Sequence, residues 1–174
     1  NLMATTISFP TLVTPNTIHA DEWTADDGVR NTVGFNSSHA DIALAGFSSL
    51  SIPAGATIDG IEVIVEGNGT FPPGDPEVFV NNGSGNSSNK VFLGGMAKTS
   101  ILHDPGWGAN NDLWGLSWDA TTAAAIEVTI DCSTIASGVG FWDFVKVRVT
   151  YTEINGKIIL PSGRIVIPQG KVIL

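Results

Sequence analysis

Three histidines, one cysteine and a run of acids are the residues whose types lend themselves to chemistry. His19, His39 and His103 stand apart, and no HxH or HExxH spacing makes any of them a metal-ligand pair. They read as exposed or hydrogen-bonded loop residues. Cys132 has no second thiol, so it forms neither an internal disulfide nor a cysteine zinc site. At the end of an alternating strand it reads as a small buried apolar residue. A nucleophile pair of His103 with Cys132 would need the fold to join them, and nothing in the sequence asks for that. Asp21, Glu22, Asp26 and Asp27 cluster around Trp23. Oxygen-rich loops bind Ca²⁺, but an EF-hand needs ligands at alternate positions, a central Gly and a terminal Glu. The cluster reads as a solvated acidic loop, with a structural calcium site as the alternative. No GxxxxGK[ST] phosphate loop occurs, and no pair of carboxylates is singled out for glycosidase work. The sequence therefore assigns no catalytic, cofactor-binding or metal-ligating residue and no cofactor. Its reading is non-enzymatic.

The five tryptophans hold most of the remaining recognition chemistry. Trp114 and Trp118 are four apart and flank Gly115, so a strand would place both on one face. Core or sheet-edge packing is the reading for this pair, with each indole N–H seeking a partner and a sugar-stacking platform as the alternative. Trp23, Trp107 and Trp142 would form a sugar-stacking surface if the chain were a carbohydrate-binding or adhesive module.

The elements that must position these residues are strands. Ile61, Val63 and Val65 alternate with Gly60, Glu62 and Ile64, and Val145, Val147, Val149 and Tyr151 alternate with Lys146, Arg148, Thr150 and Thr152. Period two over eight residues marks a half-buried strand. Weaker strands are expected at Ile42–Leu50, Glu77–Asn81, Lys90–Leu93 and Ile126–Asp131. Asp59-Gly60 is a place for a bulge. Asp119 is a helix N-cap ahead of one short alanine-rich turn. Turn clusters such as Pro53-Ala54-Gly55 and Asn82-Gly83-Ser84-Gly85 separate the strands. With 174 residues, 20 glycines and 9 prolines, this is a single all-β domain, an antiparallel β-sandwich of jelly-roll type.

Charge narrows the partners. The net charge is −9, so the Lys and Arg clusters that bind phosphates are missing, and neither nucleic acid nor an anionic membrane is an expected partner. No apolar run approaches the ~20 residues of a spanning helix, and no basic-then-apolar signal segment opens the chain.

The last residues differ in kind. From Gly156 the chain reads GKIILPS, GRIVIPQ, GKVIL, a seven-residue repeat of Gly, cation, three aliphatics, Pro and a polar residue. Its third copy is cut short at Leu174, from which a longer native chain is expected. Recurrent Pro and Gly exclude a coiled coil. Residues 1–153 form the sandwich domain, with 17 acids against 5 cations, and residues 154–174 form a short-strand repeat extension with 3 cations and no acid. Three short segments cannot make an independent core. Either the tail returns to the parent sheet or it forms intersubunit β structure. The strict repeat favours assembly, through Ile158, Ile159, Leu160, Ile165, Val166, Ile167, Val172, Ile173 and Leu174.

Four motifs, in order, resemble virion structural proteins of tailed bacteriophages. They are Trp23 with Asp27-Gly28, IPAGATIDGIEVIVE over Ile52–Glu66, DLWGLSW over Asp112–Trp118, and FVKVRVTYT over Phe144–Thr152. The resemblance covers roughly residues 16–152, and the repeat tail lies outside it. It implies a non-enzymatic capsid decoration or a tail or fibre component at the particle surface. By the same analogy the partners are a second and third copy of the chain, as a homotrimer, and other virion subunits such as the major capsid protein.

Overall fold

The computed structural model describes residues 2–14, 23–29, 31–35, 41–70, 77–91, 107–131, 138–153, 158–159, 165–166 and 172–173. In chain order the first strands are β1 (Leu2–Ser8), β2 (Leu12–Thr14), β3 (Asn31–Phe35), β4 (Ile42–Ala45) and β5 (Thr57–Thr70). Next come β6 (Glu77–Asn81), β7 (Lys90–Val91), β8 (Trp107–Ala109), the helix α1 (Ala120–Ala124) and β9 (Glu127–Asp131). The long β10 (Gly138–Glu153) precedes three tail strands, β11 (Ile158–Ile159), β12 (Ile165–Val166) and β13 (Val172–Ile173).

Two antiparallel five-stranded sheets make an all-β sandwich. One has the order β1-β10-β5-β8, with β3 also on β10; the other runs β2-β4-β9-β6-β7. These orders define a sandwich and go no further toward a jelly roll. Strand β10 is the spine of the first sheet. Its C-terminal half pairs with β1, from Ser8↔Val147 to Leu2↔Glu153, and its N-terminal end pairs with β3 on the same edge. Strand β5 runs along the whole opposite edge.

The expected alternation sets the core. Val145, Val147 and Val149 lie opposite Val65, Val63 and Ile61, and all six are fully buried. Ile42 and Leu44 of β4, Val78 and Val80 of β6, and Val128 and Ile130 of β9 supply the facing layer. Each such side chain contributes about 1.5–3 kcal/mol on leaving water.

Two register shifts interrupt the β5–β10 ladder. Between Gly60↔Thr150 and Ile58↔Tyr151, the extra residue is Asp59, at the bulge expected for Asp59-Gly60. Between Trp142↔Gly67 and Phe144↔Glu66, it is Asp143. Helix α1 starts at the expected N-cap: Asp119 accepts the Thr122 N–H at 2.8 Å, and the Thr122 hydroxyl accepts the Asp119 N–H at 2.9 Å. That reciprocal pair satisfies two end groups of so short a helix. It also holds the Asp119 carboxyl below the usual carboxylate range, chiefly through the Thr122 backbone N–H.

Strand β4 stops at Ala45, short of the expected Leu50, because Gly46 turns the chain away at φ +72. Of Lys90–Leu93, Lys90 and Val91 form β7, and the remainder lies outside the described residues. No helix among the described residues is long and apolar enough to cross a membrane, which leaves a β-barrel untouched.

Candidate functional site

The IPAGATIDGIEVIVE and DLWGLSW segments meet in space. Ile61 of β5 donates its N–H to the Asp112 carbonyl at 2.9 Å, and its own carbonyl accepts the Trp114 indole N–H at 2.8 Å. Asp112 folds the intervening turn, since its Oδ1 accepts the Trp114 backbone N–H at 2.8 Å. Its Oδ2 pairs with Lys90 Nζ at 2.7 Å, and that ammonium sits 5.0 Å from the Trp114 ring centroid. Gly60 lets β5 approach this turn, because a Cβ there would run into the Asn110 backbone. The DLWG residues thus fasten β5 to the loop after β8.

This corrects one expectation. Residues 112–117 do not form a strand, so Trp114 and Trp118 do not share a strand face. Trp114 takes φ +59, outside any strand conformation, because the Asp112 carboxylate closes a tight turn there. Both indoles still find acceptors: Trp114 as above, and Trp118 on the Leu113 carbonyl at 2.9 Å.

The stacking platform is corrected at two of its three tryptophans; the side chain of Trp142 lies outside the described residues. Trp23 is 0 % and Trp107 2 % exposed, and both belong to the core between the sheets. Burying an indole gains more than exposing it, so neither ring is presented to a sugar. Trp142 lies in β10, opposite Gly67 and Asn31. An open groove of about 630 Å³ does lie along β1, β5, β8 and β10, lined by Met3, Ile7, Glu62, Asn110, Arg148 and Thr150. Arg148 and Glu62 pair across it at 3.4 Å.

Among the described tail residues, the strands pair with one another. Ile158 lies opposite Val166 and Ile159 opposite Ile165; Ile165 lies opposite Ile173 and Val166 opposite Val172. The first aliphatic of each unit therefore faces the second of the next, in the same register twice. Leu160, Ile167 and Leu174 lie outside the described residues, as do His19, His39, His103, Cys132, Asp21 and Glu22.

A third grouping joins one acid of the loop around Trp23 to two acids that had no sequence assignment. The loop 23–29 enters the core through Trp23 and docks on the upper bulge of β10. Gly28, at φ +76, points its N–H at Asp143 Oδ2 across 3.0 Å. Asp27 Oδ1 accepts the Val29 N–H at 2.9 Å, which closes the loop. Asp26, Glu66 and Asp143 then converge, with one oxygen from each within 4.8 Å of the other two. Of the acidic loop flagged in the sequence, Asp26 joins this group; Glu66 and Asp143 come from β5 and β10. Burial pushes the Asp143 carboxyl up, and the Asp27 carboxylate adds to the rise. The backbone N–H groups of Gly28 and Asp27 act in the opposite direction. One signal for Asp143 was present in the sequence, a charge at the head of the inward row 145, 147, 149, 151.

No protein-family model matches the chain, and no curated protein matches it.

Proposed function

We propose that this chain is a non-enzymatic structural protein of a bacteriophage virion, a capsid decoration or a tail or fibre component. Its sandwich body is the rigid part, and its repeat tail is the assembly device. The observation that carries the reading is the tail register. Each unit pairs with the next through the same antiparallel offset. A strand complementary to its own repeat is also complementary to that repeat in another copy. Strands β11 and β13 are the outer strands of the three-stranded tail sheet, and outer strands present unpaired backbone groups to a neighbour. Pairing β13 of one chain with β11 of the next is a heterologous contact, which closes into a ring when the rotation permits. A trimer is the expected ring, and other virion subunits such as the major capsid protein are the expected docking partners. The spending of motif residues on packing supports the same reading. Ile61, Asp112 and Trp114 fasten one sheet to its neighbouring loop.

The test is the solution mass of residues 1–174 beside residues 1–153, by light scattering. The full chain is expected as a trimer and the truncated chain as a monomer. Two monomers of equal stability would sink the assembly role of the tail.

A further inference from the structure

The bulge at Asp143 places a carboxylate where a sandwich ordinarily keeps hydrocarbon. Asp143 is 0 % exposed. Its Oδ2 accepts the Gly28 N–H, while its Oδ1 is enclosed and has no hydrogen-bond partner. A buried charge is tolerated when it is paired, neutralised or bound to a metal. The Asp27 carboxylate makes matters worse for an ionised Asp143, and one oxygen each of Asp26, Glu66 and Asp143 gather within 4.8 Å of one another. A single cation would fit that spacing. Two oxygens held at 2.3–2.6 Å from one Ca²⁺ are at most about 5 Å apart, so three oxygens this close fit around a single ion.

We propose that Asp26, Glu66 and Asp143 bind one divalent cation, calcium by preference, which pins the loop 23–29 to the β5–β10 bulge. The donors are all oxygen, with no nitrogen or sulfur, which selects hard cations over zinc or copper. They come from a loop and two different strands, and Asp26 is exposed, so water completes the shell on that side. Calcium accepts such irregular shells of six to eight oxygens, whereas magnesium demands near-ideal octahedral geometry. Glu66 and Asp143 are fixed by the ladder on either side of the bulge, so they are placed before the ion arrives. Asp26 belongs to the loop that carries buried Trp23. Ion binding therefore couples the loop to the sheet and holds the tryptophan in the core. This proposal is independent of the virion reading.

The experiment uses the full chain, stripped with EDTA and then titrated with calcium chloride. Thermal unfolding is followed against magnesium chloride and potassium chloride at matched ionic strength. At 100 times the dissociation constant, calcium should raise Tm by about 5–10 °C, because only the folded chain holds the site. Potassium should not. Terbium supplies a second readout, since Trp23 lies three residues from Asp26 and sensitises its emission; calcium should displace that signal. Asp26→Asn, at an exposed position that leaves folding intact, should weaken calcium at least tenfold. Asp143→Asn should abolish the calcium shift and melt no lower than the parent in EDTA, since an amide relieves the buried like charges. Calcium shifts no larger than those of potassium would overturn the proposal. So would equal shifts in the parent and Asp26→Asn, or stabilisation by acid with none by calcium. Acid alone would mean that Asp143 shares a proton with a neighbouring carboxylate instead of a metal.

Discussion

At the scale of single residues, aspartates in similar backbone settings meet different fates. Asp59 and Asp143 are both the extra residue of a bulge between β5 and β10. Asp59 stays half-buried and accepts the Thr152 hydroxyl at 2.6 Å. Asp143 is enclosed, and burial raises its pKa. The sign of its linkage follows. Its folded-state value lies above the ordinary 3.8, so its contribution is full below that value and is lost as pH rises through the folded value. In EDTA, the Tm of the parent minus that of Asp143→Asn should therefore fall from pH 4 upward, which a pH series of paired melts would measure. Asp119 runs the other way. Its value is lowered, so its helix-capping contribution is present at neutral pH and lost as acid protonates it. Trp114 offers a separate test. Trp114→Phe keeps an aromatic, though smaller, side chain and removes the donor to the Ile61 carbonyl. It should cost about 1–3 kcal/mol in urea unfolding, the cost of a buried acceptor losing its partner. An unchanged midpoint would show that the indole bond does not fasten the loop to β5.

At the scale of elements, legibility followed the amount of local pattern. Strand β6 appears at Glu77–Asn81 as read, and β9 begins one residue later than expected. The alternating stretches of β5 and β10 were read correctly, while their extensions to Thr70 and back to Gly138 were not. Those extensions contain Gly67, Gly69, Gly138 and Gly140, which carry no hydropathy signal. Strand β1 was missed because its inward row, Ala4, Thr6 and Ser8, is small or polar while Met3 and Ile7 face out, so its hydropathy does not follow its burial. Strand β8, only Trp107–Ala109, exists through its pairing with β5. Close approach at that pairing gives an element-scale prediction. In Gly60→Ala the new Cβ meets backbone that cannot swing aside. It should destabilise by about 1–3 kcal/mol or more, as overpacking does, with the loop after β8 the first to exchange its amides. Protection of that loop equal to the parent's would contradict the close approach. In the tail, Ile165→Pro removes a ladder donor from the central strand β12. On the assembly reading, light scattering should find that full-length variant monomeric.

At the scale of the whole molecule, the sandwich joins two separable proposals. The tail concerns what the chain does to other copies, and the carboxylate group concerns how the body holds its own loop. Their readouts are distinct: solution mass for the first, calcium-dependent Tm for the second. A chain that is trimeric with and without EDTA, yet melts higher in calcium, would satisfy both. The body bears all 17 acids against 5 cations, while the tail carries 3 cations and no acid. If the tail also contacts acidic surfaces, assembly should weaken with added salt, since exposed charges are screened beyond about 8–10 Å at 0.1–0.15 M. A mass independent of salt would assign assembly to strand pairing alone.

The residues by themselves determined the class of fold, the inward rows of the two long strands, the Asp119 cap and the period of the tail. Each of these is local: a side-chain alternation, a three-residue spacing or a repeat can be counted along the chain. Tertiary structure decided the rest. Trp23 and Trp107 are core residues because two sheets close over them, and Trp114 is a fastener because Ile61 lies beside it. Asp26 was visible as an acid in an acidic loop, but Glu66 and Asp143 sit in other elements. A carboxylate group gathered from three separate segments has no spacing to read. It exists only once a bulge brings Asp143 beside the edge of β5 and the loop folds over both.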